Sequence, residues 1–357
     1  MMSVTAASKG KHSALLRELT RIAGAGTTAV VGAAVTSLSC GKLESPVGLN
    51  TTELFPMAST FKVPMACVLL RDVDEGKLKL TDTIKLGLAD ARPGTGVLTM
   101  KLLVDGQNSP DVQHEYTIHE LLETAMNDSD NAATDALIRK IGGPQRVTEY
   151  VRSLKLEKLT VTRGCLEHLR DRCGVKAERT PGEELLCTPD APRPAGKDMV
   201  EFVAMLEGRM EVLPLLSLKE VDEAYDQDPR DQTTPEDMNR LLQLIWHRQA
   251  GLSEDVTRTL LDIMANCRTG KGRIPGRLPE HALQKKSVMH KTGSLGGRAN
   301  DVGFIELPDD EGAIAIAIYI KGTAGPGQTK TSEMYAERDR VIADIARACY
   351  DFYLYQA

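Results

Sequence analysis

"DVGFIELPDDEGAIAIAIYIKG", residues 301–322, holds two apolar runs joined by the polar turn "PDDEG". In the second run Ile314, Ile316, Ile318 and Ile320 occupy alternate positions, the period that sends successive strand side chains to opposite faces. Two such runs with so short a link predict an antiparallel hairpin. Its isoleucine face needs a cover, and the flanking sequence offers one. The following "SEMYAERDRVIADIARACYDF" carries Met334, Val341, Ile342, Ile345 and Cys349 at helical intervals, with Ser332 placed to cap. Near the other end, "SALLRELTRIA" spaces Leu15, Leu16, Leu19 and Ile22 in the same way before the strand-like "TTAVVGAAV". The two chain ends therefore supply the helices and strands of one antiparallel layer.

Between them the pattern is helical. "MACVLLRDVDEGKL", "TIHELLETAM", "NAATDALIRKIGG", "RVTEYVRSL" and "PEDMNRLLQLIWHRQAG" repeat apolar residues every three or four positions. Gly142-Gly143-Pro144 closes one of these helices and Thr234-Pro235 opens another. The expected architecture is an α/β (α+β) fold in two lobes: residues 1–56 and 255–357 form the α/β lobe, and residues 57–254 form an all-helical lobe. A stretch rich in Pro, Gly and charge reads as an insertion at about 164–230, and an active site is expected in the cleft between the lobes.

The chain has 357 residues, 41% of them apolar, enough for a real core, and a formal charge of −6 with mixed signs. That balance argues against nucleic acid, whose binding needs a basic face to displace counterions. No window approaches the roughly 20 apolar residues of a membrane span. The start lacks the basic region, apolar core and cleavage site of a secretory signal, so the expectation is either a protein that stays inside the cell, in the cytoplasm, or a mature chain from which a signal was removed. Seven scattered cysteines do not form the dense even framework of small secreted domains. Cys165, His168 and Cys173 lie close in sequence and would seed a zinc site if Cys187 joined them, but no second CxxC pair accompanies them. Ordinary thiols, or one local disulfide, and no metal are expected.

Chemistry is concentrated in three short segments: Ser59-Thr60-Phe61-Lys62, Ser129-Asp130-Asn131 and Lys291-Thr292-Gly293-Ser294. A serine in the first turn of a helix lies near unpaired backbone N–H groups and the positive end of the dipole. Lys62, three residues on, shares its face, and an amine of lowered pKa there activates an otherwise poor nucleophile. Other motifs fail: "CRTGKGRIPGR" lacks the spacing of a phosphate loop and reads as a basic turn, and His290 reads as a strand residue.

The three segments in this order resemble the class A serine β-lactamase and penicillin-binding-protein superfamily. The likeness extends through "LFPMASTFKVPMACVLLRDVDEGKLKLTD", "YTIHELLETAMNDSDNAATDALIRKIGGPQRV", "RDQTTPEDMNRLL" and "VMHKTGSLGGRANDVGFIELP", covering most of residues 12–163 and 228–357. It implies a five-stranded antiparallel sheet flanked by helices, no cofactor, a small β-lactam substrate, a monomer, and a periplasmic or secreted location. By resemblance, Ser59 attacks the ring, Lys62 activates it and Ser129 passes a proton to the leaving nitrogen. Asn131 binds the acyl amide, while Asp130 braces the loop. Lys291 meets a substrate carboxylate, with Thr292 beside it and Gly293 allowing close approach. The N–H groups of Ser59 and Ser294 form the oxyanion hole, and Arg298 or Arg338 is the second carboxylate partner.

One part departs from the pattern. The family's deacylating glutamate sits in a loop reading roughly Glu-x-Glu-Leu-Asn after a Thr-Arg pair. Here Thr162-Arg163 leads instead into "GCLEHLRDRCGVKAERTPGEELL". Glu167 is the expected base, with Glu183 and Glu184 as runners-up. The altered loop also keeps open a non-hydrolytic β-lactam-binding protein, and a D-alanyl-D-alanine peptidase or esterase.

Overall fold

A computed structural model describes residues 6–355 except 40, 95, 110, 173–222, 284–285, 324, 326–327 and 329–330. The chain opens with α1 (Ala6–Gly26), β1 (Val30–Ser37), β2 (Val47–Leu49), β3 (Phe55–Pro56) and α2 (Lys62–Asp74). Next come β4 (Thr83–Gly87), α3 (Val97–Asn108), β5 (Gln113–Thr117), α4 (Ile118–Asn127), α5 (Asn131–Lys140), α6 (Gln145–Ser153) and α7 (Cys165–Arg172). After residues 173–222 follow β6 (Gln232–Thr233), α8 (Pro235–Trp246) and α9 (Glu254–Met264). The chain ends with β7 (Val288–Leu295), β8 (Arg298–Glu306), β9 (Ala313–Lys321) and α10 (Thr331–Tyr355).

The five-stranded sheet has the order β2-β1-β9-β8-β7, and every neighbouring pair is antiparallel. The "PDDEG" turn joins β8 to β9, and Ile305 pairs with Ile314. One sheet face presents Ile314, Ile316, Ile318 and Ile320 to Leu15, Leu19 and Ile22 of α1 and to Val341, Ile342 and Ile345 of α10. Each of these side chains gains about 1.5–3 kcal/mol from full burial. Ser332 lies inside the first turn of α10, which starts two residues earlier than its capping role requires.

The opposite face is lined with small residues, Ala313, Ala315 and Ala317, beside Tyr319, Val302 and Phe304. Small side chains let α8 come close enough for Asn239 to reach sheet backbone, donating to Ala34 O at 3.2 Å and Ala315 O at 2.9 Å. Thr234 caps α8 by accepting from the Asp237 N–H, as the Thr-Pro start predicts. This second core continues without a break into α2, α4, α5 and α8. Helix α2 is buried from Lys62 to Leu70 on every side, which explains a run in which the helical stripe is hard to see. A lysine that begins such a helix is fully desolvated, and β7, the edge strand, lies beside it.

Candidate active site

Ser59 lies in a short 3-10 turn, Ala58–Phe61, that runs directly into α2, so it precedes the α-helix rather than beginning it. Two strands hold this turn. The Asn300 side chain on β8 donates to Pro56 O at 2.8 Å and Met57 O at 3.0 Å. On β7, a Cβ at Gly293 would stand 2.5 Å from Met57 O and 3.1 Å from Thr60 N, so only glycine lets the strand pass. The expected close approach at Gly293 is therefore first an approach to the nucleophile's own turn.

Lys62 is completely buried. Its Nζ donates to Ser129 O at 2.7 Å, Asn131 Oδ1 at 3.1 Å and Asp130 O at 3.3 Å, and stands 3.4 Å from Ser129 Oγ. Burial lowers its pKa, against the opposing pull of the Asp130 and Asp135 carboxylates. Ser129 adopts a left-handed backbone, φ 59°, uncommon for serine, at the junction between α4 and α5. Its Oγ accepts from Lys291 Nζ at 2.9 Å, so one hydroxyl lies between two buried amines. Burial, and then the charge of Lys62, push Lys291 down to about 7, while Cys267 and Asp301 oppose the shift. A substrate carboxylate arriving there would restore its proton.

The neighbours of Ser129 fix this arrangement. Asp130 caps α5, accepting from Ala133 N and Leu98 N, each at 2.9 Å, and burial raises its pKa. Asn131 spans the site, donating from Nδ2 to Pro93 O at 2.9 Å while its Oδ1 holds Lys62. Thr292 Oγ1 lies 2.6 Å from Thr269 Oγ1. The pocket beside Ser59 is walled by Asn131 and Ser294, and on the far side by Cys165, His168 and Leu169 of α7. A much larger cavity, about 780 Å³, opens between α1 and α10 among Arg21, Arg340, Arg347, Glu18, Asp344 and Asp351, but contains no nucleophile.

Helical spacing decides which residues of α7 face Ser59. Positions 165, 168 and 169 share a face, and 167 points elsewhere. The Glu167 carboxylate turns back to accept the Gly164 N–H at 2.9 Å and does not line the pocket. The structure thus brings together Ser59, Lys62, Ser129, Asn131, Lys291, Thr292, Gly293 and Ser294, but not Glu167. Glu183, Glu184, Cys173 and Cys187 lie outside the described residues. Among those described, no group of side chains is arranged to hold a metal ion, and no helix is long and apolar enough to cross a membrane.

Long-range pairings that the sequence did not single out position α7. Asp135 is fully buried, accepts from Cys165 N at 2.6 Å and Leu166 N at 3.2 Å, and pairs with Arg92 Nε at 2.8 Å. Arg163 pairs with Asp231 at 2.5 Å and Asp171 at 2.8 Å, with Asp228 at 3.4 Å, tying the two described ends of the insertion together. His168 bonds the Tyr225 hydroxyl.

The arginines are also redistributed. Arg298 is buried with its Nε on Asp226 at 2.8 Å and its Nη1 on Gly296 O at 2.9 Å. Arg338 donates to the backbone carbonyls of Gly297, Gly322 and Thr323. Arg273, from the segment read as a basic turn, reaches Ser294 Oγ at 2.7 Å, Gly293 O at 3.0 Å and Asn300 O at 2.9 Å. An isolated arginine in a turn carries no periodic signal of such a destination.

A family model described as "Beta-lactamase enzyme family" matches residues 14–353. Extended-spectrum beta-lactamase PER-1 of Pseudomonas aeruginosa is 27% identical over 99% of this chain and 92% of its own length. Beta-lactamase VEB-1, also of Pseudomonas aeruginosa, is 24% identical over 86% of this chain and 80% of its own. A solved beta-lactamase structure from Chitinophaga pinensis is 26% identical and superposes with a TM-score of 0.66, covering 95% of this chain and 98% of that one.

Proposed function

The chain belongs to the beta-lactamase enzyme family, and from that premise we propose that it hydrolyses β-lactams through an acyl-enzyme on Ser59, with the groups around Ser129 carrying the proton. Neutral Lys62 takes the Ser59 Oγ proton, directly or through water, as Oγ attacks the ring carbonyl. The Ser59 and Ser294 N–H groups hold the resulting oxyanion. As the C–N bond breaks, Ser129 gives its proton to the departing nitrogen and is resupplied from the lysine side. Asn131 takes the acyl amide, and Lys291 with Thr292 takes the substrate carboxylate. Arg273, whose Nε pairs with Asp339, reaches Ser294 Oγ at the end of the Lys291–Ser294 segment and is the arginine assigned to assist that carboxylate, while Arg298 is engaged by Asp226.

The observation that carries this reading is the placement of Ser129 Oγ between Lys62 and Lys291, two buried amines whose pKa values are both lowered. A proton donor flanked by amines of reduced basicity is a competent relay at neutral pH. The test is mass spectrometry of the folded protein after brief penicillin exposure, with steady turnover of a chromogenic cephalosporin. An adduct at Ser59 followed by turnover supports the reading; neither burst nor turnover overturns it.

A second reading is favoured by one feature, the direction of Glu167. If no base addresses the ester, loss of a general-base contribution of about 10²- to 10⁴-fold raises the deacylation barrier by about 3–5 kcal/mol and the acyl-enzyme persists. A stoichiometric burst with negligible steady rate would mark a β-lactam-binding protein, whereas D-alanine or nitrophenol release would mark a peptidase or esterase. We read residues 1–56 and 255–357 as one lobe and 57–254 as the other, because Lys291 of β7 reaches Ser129, just ahead of α5, across this cleft. The active unit is taken as a single chain, periplasmic or secreted.

A further inference from the structure

Behind Lys291, three groups that the β-lactam reading does not use stand in line: Cys267, His290 and Asp301. We propose that Cys267 is a covalent modification site for small disulfides, and that capping it shuts down the cleft by way of Thr269, Thr292 and Lys291. The second half of the proposal rests on the β-lactamase reading; the first half does not.

The geometry is that of an activated nucleophile. His290 Nδ1 lies 2.9 Å and 3.0 Å from the two Asp301 carboxylate oxygens, and both residues are buried. Asp301 also accepts the Ile274 N–H at 3.1 Å, which fixes the carboxylate. His290 in turn stands near Cys267 and favours its thiolate. A nucleophile on a base, and the base on an orienting carboxylate, is the arrangement that activates a thiol. Cys267 is half-buried, whereas Cys67, Cys165 and Cys349 are buried.

Electrostatics point the same way. Burial opposes charge on His290, but the adjoining Asp301 carboxylate prevails and pushes the imidazolium up to about 10. Burial likewise raises the Cys267 thiol, yet His290 and Lys291 bring it down to about 7. The charged groups facing the thiol are His290 and Lys291 on β7 and Arg268 in its own turn, with Asp301 behind His290. Burial drives Cys67 in the opposite direction, up to about 12, and also raises Cys165 and Cys349. Among the described cysteines the thiolate is therefore confined to Cys267.

The link to the cleft is short. Cys267 Sγ touches the Thr269 hydroxyl at 3.4 Å, and that hydroxyl lies 2.6 Å from Thr292 Oγ1. Negative charge at Cys267 also supports the proton on Lys291. In the capping step the thiolate attacks one sulfur of a disulfide. The reagent's S–S bond breaks, a mixed disulfide forms at Cys267, and the other half leaves as a thiolate, so the disulfide is the only oxidant required. The cap displaces Thr269 from Thr292 and removes the charge that Lys291 leans on.

The folded full-length protein is treated with 2-hydroxyethyl disulfide, and separately with iodoacetamide, between pH 6 and 8, and adducts are mapped by peptide mass spectrometry. A thiol near 7 has more thiolate than an ordinary one but is intrinsically less nucleophilic. The expected advantage over an unstructured cysteine peptide is about threefold at pH 7 and about sixfold at pH 6. Cys267 should label first, and β-lactam turnover of the capped enzyme should fall by about tenfold or more and return on reduction. Cys267→Ser should show no change in its own turnover on treatment with the reagent, and His290→Asn should slow labelling at Cys267. Should that variant not fold, the pH dependence of labelling in the unaltered protein carries the same information. First labelling elsewhere, peptide-like rates at Cys267, or full turnover after capping would overturn the proposal. Labelling is read by mass alone, so a protein that labels at Cys267 but never acylates with penicillin rejects the Ser59 reading and leaves the reactive thiol standing.

Discussion

The two walls that enclose Ser59 are built differently. On one side, Lys62, Ser129, Asn131 and Lys291 are buried and bonded to one another, and the backbone carbonyls of Pro93, Ser129, Asp130 and Thr292 complete the network. On the other, α7 presents Cys165, His168 and Leu169, and its position depends on Asp135 and Arg163 gripping its start. The first wall is preorganised for acylation, because its charges need no rearrangement to act. The second shields the ester and carries no carboxylate among its described lining residues. The contrast separates forming the acyl-enzyme from releasing it.

The first wall is broken most completely at its centre. Ser59→Ala is expected to abolish the penicillin adduct and lower turnover by about 10⁴-fold or more, read by intact mass and cephalosporin hydrolysis. Lys62→Met should slow acylation by about 10²- to 10⁴-fold while the circular dichroism spectrum stays intact; a rate within tenfold of the unaltered enzyme would remove Lys62 as the base. At the second wall, Asp135→Ala leaves Arg92 buried without its carboxylate. A stability loss of about 3–5 kcal/mol in urea unfolding is expected, with a larger change in deacylation than in acylation.

Proton inventory sharpens the comparison further. Lys62 must be neutral to accept a proton, so acylation rises with pH through its lowered pKa. Lys291 must be charged to hold a carboxylate, so kcat/KM falls as pH rises past about 7. Lys291→Arg, which stays charged, should move that falling limb upward by more than a pH unit; an unmoved limb would assign it to another group. The smallest effect is expected at Glu167. Because its carboxylate caps Gly164, Glu167→Gln should alter steady turnover by less than about tenfold, whereas normal acylation followed by a stall would show that α7 turns to deliver it.

Legibility followed the range of the interaction. The hairpin at 301–322, the helices that cover it and the serine-lysine spacing are local periodicities, and all were readable residue by residue. So was the fit of Gly293, although its reason, clearance for the Met57 carbonyl, lies 236 positions away in sequence. Arg273, Asp135 and the Cys267–His290–Asp301 line were not readable. Each is a single polar residue in a turn, helix or strand whose partner comes from a distant segment, and nothing in its own neighbourhood records that partner.

By itself, the sequence determined that a lysine follows Ser59 by one helical turn, that Ser129 and Lys291 begin two further motifs, and that the chain ends make an antiparallel layer. Short-range sterics and solvent exclusion turn such local spacings into helices and strands in any chain that folds. Only the tertiary structure decided what surrounds each charge: that Lys62 is wholly desolvated, that Ser129 lies between two amines, and that the helix after Arg163 turns Glu167 away. Burial and long-range partners set those properties, and pKa and reactivity depend on the assembled environment rather than on spacing.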